Sequence, residues 1–172
     1  SRADASPPEC ICCLMNEAPK GLGNRLTIAP ERTDVERIKL TGVVYESSGE
    51  RPARDVTMYV YQTDETGYYT KRGDEDRSSW AWWHGKQRGW LKTNERGEYE
   101  NDTIKPAPYP SGTAPAHIHV VVSAPTQKHC SYLADFVFRG DPLLTSRYWD
   151  AVERDAVLLR SGNGATPAPA GA

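Results

Sequence analysis

The chain has 172 residues, of which 38% are hydrophobic, and a formal net charge of -2 at pH 7. That length supports one domain with a real core. The slight acidity and the lack of a basic stripe argue against a nucleic-acid partner, and no apolar run reaches the roughly 18 residues of a membrane span.

In chain order, residues 1–36 read as an irregular N-terminal arm, because Pro7, Pro8, Pro19, Gly21, Gly23 and Pro30 interrupt any period. Cys10, Cys12 and Cys13 crowd into this arm, and Cys130 lies far away. Four cysteines permit three pairings, and the sequence does not choose among them. At least one disulfide is expected, tying the arm to the body through Cys130. Free thiols in a cytosolic chain are the plain alternative. A disulfide implies export, whether periplasmic, secreted or lipoprotein-anchored. The start at Ser1 without Met suits a processed chain.

The body, residues 37–160, reads as a run of short strands. The first covers 37–46, with Leu40, Val43 and Val44 as its apolar residues. The second covers 56–62, with Val56, Met58 and Val60 on one face and Thr57, Tyr59 and Tyr61 on the other. Residues 70–88 read as a long loop holding a charged run and then Trp80, Trp82, Trp83 and His84. A hairpin of 90–93 and 98–104 follows, turning at Asn94-Glu95-Arg96-Gly97. Further strands begin at His117 and cover 133–138. A short helix is expected over 146–153, with Tyr148, Trp149 and Val152 inward. Residues 161–172, rich in Gly, Ala and Pro, are expected to be disordered. Six short strands between turn signals indicate an all-β fold, a β-sandwich of immunoglobulin-like or transthyretin-like type.

One stretch carries chemistry. His117 and His119 stand two apart at the head of the β-branched run Val120-Val121-Val122. In a strand they share a face, and Ile118 points the other way. Tyr109 precedes them on a Pro-stiffened segment, and Tyr69 follows a turn at Gly67. A pair of hydrogen-bonded histidines is the bland reading. Two tyrosines and two histidines around one ion give two hard anionic oxygens and two borderline nitrogens. Free tyrosine titrates near pH 10, so ionising it at neutral pH takes a strongly acidic cation, and Fe(III) suits that donor set. The tryptophan-rich segment reads either as core with a packed loop or as walls for an aromatic substrate. In the second case Trp83 and His84 are the substrate-binding candidates.

The chain also carries a series of motifs in fixed order. They are Leu40-Thr41-Gly42-Val43-Val44, Val60-Tyr61-Gln62-Thr63-Asp64 with Gly67 and Tyr69, and Arg88-Gly89-Trp90. Thr103 through Pro110, Pro115-Ala116-His117-Ile118-His119 and Gly140-Asp141-Pro142-Leu143 complete the series. The set resembles the intradiol ring-cleavage dioxygenases, the group containing catechol and protocatechuate 3,4-dioxygenases. The resemblance implies that Tyr69, Tyr109, His117 and His119 bind a non-haem Fe(III). It implies an aromatic diol and O2 as substrates and cis,cis-muconate-type products, with Tyr109 also acting in proton transfer. A non-catalytic binding module, and a Cu or Zn site on the two histidines, are the alternatives.

Several departures from the family pattern matter. Ala114 stands where the family usually carries an arginine, and Arg88 is the catalytic candidate to replace it. Asp135 stands near a usual glutamine and is a second catalytic candidate. The short Tyr109–His117 spacing suggests an open pocket tolerant of substituted catechols. The helical region through which catechol 1,2-dioxygenases dimerise is not apparent, so a monomer or weak oligomer is expected.

Overall fold

The computed structural model describes residues 10–151 and 157–159. The expected disordered tail at 161–172, and Val152 of the expected helix, lie outside them. The fold is the expected all-β sandwich. Its smaller sheet has three strands. The central β5 (Glu98–Ile104) pairs in parallel with β1 (Arg25–Thr27) and antiparallel with β2 (Arg37–Val43). The larger sheet runs in the order β4 (Arg88–Lys92), β3 (Thr57–Gln62), β6 (His117–Ser123), β8 (Phe136–Phe138), β9 (Val157–Leu159). A two-residue strand, β7 (Ser131–Tyr132), also pairs with β6.

The core between the sheets follows from period-two alternation. Met58 and Val60 of β3 meet Ile118, Val120 and Val122 of β6, together with Leu40, Leu91, Phe136 and Phe138. Fully burying each such side chain contributes roughly 1.5–3 kcal/mol. The larger sheet is buried on its outer face as well. There Tyr59, Tyr61 and Val121 form a second cluster with Leu14. This explains why every residue from Met58 to Gln62 is buried: the strand packs two cores rather than one core and solvent.

The N-terminal segment covers that outer face. A 3-10 turn, Ile11–Glu17, sets Leu14 at 1% exposure, and the Trp90 indole N–H donates to the Leu14 carbonyl at 3.0 Å. The sulfurs of Cys12 and Cys130 lie at disulfide distance, as do those of Cys10 and Cys13. The arm is therefore not irregular throughout. Between them, the 3-10 turn and β1 give it regular structure, and β1 belongs to the smaller sheet. Three residues are too few for alternation to show in a sequence.

Two other expectations change. The loop at 70–88 contains α1 (Trp80–His84), whose N-cap Ser79 accepts from the Ala81 amide. The strand expected over 133–138 forms only at Phe136–Phe138, as β8; Leu133 to Asp135 separate it from β7, which precedes the expected range. The C-terminal helix, α2, covers Ser146–Ala151, with Tyr148 and Trp149 half-buried and edge-on to each other.

The Cys12–Cys130 link spans 118 residues. Replacing both cysteines by serine is expected to lower unfolding free energy by about 2–4 kcal/mol. Thermal denaturation of the variant, and of wild type with and without reductant, measures this; equal midpoints would contradict it.

Candidate metal centre

β6 supplies both histidines. Its inner face, Ile118 and Val120, is locked in the core, so His117 and His119 are held on the outer face. Their Nε2 atoms are 3.0 Å apart and their rings nearly perpendicular, at 80°. His117 Nδ1 donates to the Pro115 carbonyl at 2.7 Å. His119 Nδ1 donates to the Asp135 carboxylate at 2.7 Å. A carbonyl and a carboxylate only accept, so each Nδ1 carries a proton, and in the neutral ring Nε2 then keeps its lone pair.

The tyrosines arrive on two loops stitched together. Asp64 organises the first. Its carboxylate accepts from the Thr66 amide at 2.9 Å, and from the hydroxyls of Thr66 and Thr70. Burial alone would raise the Asp64 pKa, but these hydrogen bonds outweigh it and lower it. The Asp64 carbonyl accepts from the Ala107 amide at 3.0 Å, and the Thr63 hydroxyl donates to the Ala107 carbonyl at 2.7 Å. Gly67, at φ +85°, lies so close to Pro108 that a Cβ would overlap the Pro108 carbonyl oxygen. The loops of Tyr69 and Tyr109 are thereby pressed into one unit.

The result is a continuous chain of polar atoms. The Tyr69 and Tyr109 hydroxyls are 2.8 Å apart, Tyr109 Oη is 3.0 Å from His117 Nε2, and His117 Nε2 is 3.0 Å from His119 Nε2. All four expected ligands therefore meet. Two neutral imidazole lone pairs facing each other at hydrogen-bond distance repel unless a cation lies between them. The donor set thus fits a metal ion, with both hydroxyls beside it. Burial holds the Tyr69 and Tyr109 phenols above the ordinary tyrosine pKa, and burial and the neighbouring His119 hold His117 below the ordinary histidine value. Without a cation the phenols stay protonated at neutral pH.

Asp135 lies in the same cluster, within 4.8 Å of both histidine donors. Its hydrogen bond to Nδ1 makes it the outer partner that orients His119. The register of β8 puts it there: Ile118 pairs with Phe136, so Asp135 comes opposite His119, on the same face. The β6–β7 register pairs Val121 with Tyr132, so two residues of β6 face three on the other side, Leu133 to Asp135. The extra residue, a β-bulge, takes up the change of register between β7 and β8. A second anchor is Asp141, whose carboxylate accepts from the Ala116 and Leu143 amides, each at 2.9 Å.

The other candidates stand apart from this chain of contacts. The Arg88 guanidinium donates to the Gly85 carbonyl and faces the buried Glu75 at 3.6 Å. Trp83 is half-buried and edge-on to Trp82, and its carbonyl accepts from Lys71 Nζ at 3.2 Å. His84 is 4% exposed and stacks on Tyr61 at 3.5 Å. Sequence reasoning missed Asp64, Gly67 and Asp141 as organisers. The Asp-x-x-Gly turn spacing was the available signal for the first two.

Residues 22–167 match a protein-family model described as Dioxygenase. The fold is similar to the dioxygenase domain of a dioxygenase carbohydrate-binding protein fusion from the cellulolytic bacterium Streptomyces sp. SirexAA-E. The TM-score is 0.57 and the identity 23%, over 87% of this chain and 86% of that one. It is also similar to catechol 1,2-dioxygenase from Acinetobacter sp. ADP1, with TM-score 0.57 and 20% identity over 79% of this chain and 48% of that one. A third likeness is 3-chlorocatechol 1,2-dioxygenase from Rhodococcus opacus 1CP, with TM-score 0.54 and 22% identity over 83% and 61% of the two chains. The chain thus spans most of the Streptomyces domain and about half of the Acinetobacter enzyme.

Gly67→Ala is expected to lower stability by more than ~1 kcal/mol and to weaken metal binding by parting the two tyrosine loops. Denaturation and metal titration on one preparation test both. Burial, then the charges of His119, Arg88 and Lys71, depress His84 from an ordinary value of 6.5 to about 3. Between those values the unfolded chain binds the extra proton, so this contribution to stability is complete above pH 6.5 and is lost on acidification. His84→Gln should flatten the dependence of the denaturation midpoint on pH across that window; an unchanged slope would contradict the assignment.

Proposed function

Because the chain belongs to the intradiol ring-cleavage dioxygenase family, we propose that it cleaves catechol-type aromatic diols with O2, using a non-haem Fe(III). The observation that carries this reading is the convergence of two phenol oxygens and two imidazole Nε2 atoms at hydrogen-bond spacing. Tyr69, Tyr109, His117 and His119 would hold the ion. When bound, Fe(III) supplies Lewis acidity and draws electron density from the diol, which makes the ring reactive toward O2.

The protein's own residues then have distinct tasks. Tyr109, as phenolate, accepts a proton from a diol hydroxyl. Its oxygen has Tyr69 Oη at 2.8 Å and His117 Nε2 at 3.0 Å, so the hydrogen-bonded row bounds where that proton rests. The Pro115 carbonyl and the Asp135 carboxylate keep both Nδ1 atoms protonated and both Nε2 atoms free for the metal. Ala114 leaves the family's arginine position without a charge. Arg88 shares the cross-strand row of Tyr61 and His119, but its guanidinium faces Glu75 at 3.6 Å rather than that position. Substituted catechols are the proposed substrate class, with cis,cis-muconate-type products. Two cysteine pairs at disulfide distance support export.

Tyrosinate bound to Fe(III) absorbs broadly in the visible, so iron-loaded protein is expected to be red-brown and to consume O2 with catechol or 4-methylcatechol. Tyr109→Phe should shift the band, and His117→Ala should abolish iron retention. Colourless, iron-free protein after supplementation would remove the reading.

A further inference from the structure

His119 is fixed in two ways. Asp135 accepts the hydrogen bond from its Nδ1–H, which sets the tautomer but leaves the ring free to turn about that hydrogen bond. The face of Tyr61 removes this freedom. It stacks on His119 with centroids 4.6 Å apart and planes at 27°. Tyr61 is 7% exposed and stacks in turn on His84, at 3.5 Å and 8°. Among the described residues His84 and His119 share no ring contact, so Tyr61 is the plate between them. The strand order agrees: Tyr61 of β3 lies opposite His119 of β6 on one side and Arg88 of β4 on the other.

The far end of this row is also immobile. Trp80 stacks on His84 at 5.1 Å and 23°. Tyr59, with no exposed surface, places its hydroxyl 2.9 Å from His84 Nδ1. A buried hydroxyl proton needs an acceptor, and among the described residues this is its one side-chain partner, so Tyr59 donates and the His84 ring is pinned. By contrast, His117 meets Tyr109 and His119 edge-on and relies on the Pro115 carbonyl.

We propose that Tyr61, backed by His84, is a positioning residue for the metal ligand His119. The stack holds the imidazole plane so that Nε2 points at the centre shared with His117, Tyr69 and Tyr109. The effect comes from the flat ring face and not from the Tyr61 hydroxyl. This inference rests on the ferric reading above.

The test is transfer of iron from loaded protein to excess chelator, followed by decay of the visible band. Partners that orient a metal ligand from outside typically change affinity about 10–100-fold. Tyr61→Leu is therefore expected to release iron about 10–100-fold faster and to shift the band, with circular dichroism showing an intact fold. Tyr61→Phe keeps the ring and should stay within about twofold of wild type. His84→Leu, which leaves Tyr61 in place, should release iron at an intermediate rate and serves if Tyr61→Leu does not fold. Folded Tyr61→Leu or His84→Leu protein with wild-type release would overturn the proposal, as would Tyr61→Phe behaving like Tyr61→Leu. Wild-type protein that takes up no iron removes the ferric reading and this inference together; iron-loaded wild type with unaffected variants removes this inference alone.

Discussion

Two imidazole nitrogens facing each other at 3.0 Å are the demand around which the molecule is arranged. Neutral rings do not approach with lone pairs opposed unless something compels them. Here the compulsion is the sandwich core: Ile118 and Val120 are buried between the sheets, so the strand cannot rotate to relieve its other face. Packing between sheets thus supplies the energy that holds a polar cluster in an otherwise unfavourable arrangement, which a cation would relieve.

The partners of the histidines come from three different local devices. A turn built on Asp64 carries Tyr69, a glycine without room for a side chain locks it to the Tyr109 segment, and the register of β8 against β6 brings in Asp135. Backbone hydrogen bonds tie the Asp64 turn to Ala107, and the segment before Asp135 to β6, where the Leu133 amide donates to the Val120 carbonyl at 2.9 Å. The two tyrosines therefore sit on short loops with little freedom and the two histidines on a strand, as a preorganised site requires.

Much of this was legible in the sequence where a period or a motif is long enough to show. β3 announces itself by alternation, with Val60 and Tyr61 on opposed faces, and β6 by its β-branched run. The meeting of the four candidate ligands was legible because the tyrosines and histidines recur in a spaced set that resembles a family. The helix at Trp80–His84 was hidden because five residues hold little more than one turn of period. β1 was hidden because its partner, β5, lies about 70 residues away and pairs with it in parallel. The ring row through Tyr61 was not legible at all. It depends on which strands are neighbours, and strand order is a property of the whole fold.

The register of β8 against β6 carries a consequence of a different kind. Side chains along a strand alternate between faces, so the aspect of Asp135 is decided by its spacing from Phe136, which is paired with Ile118. Inserting one residue between the two would turn the carboxylate away from His119 while every candidate ligand kept its identity. The orientation of this carboxylate is thus written partly as a count of residues, which substitutions leave untouched and a single-codon insertion rewrites.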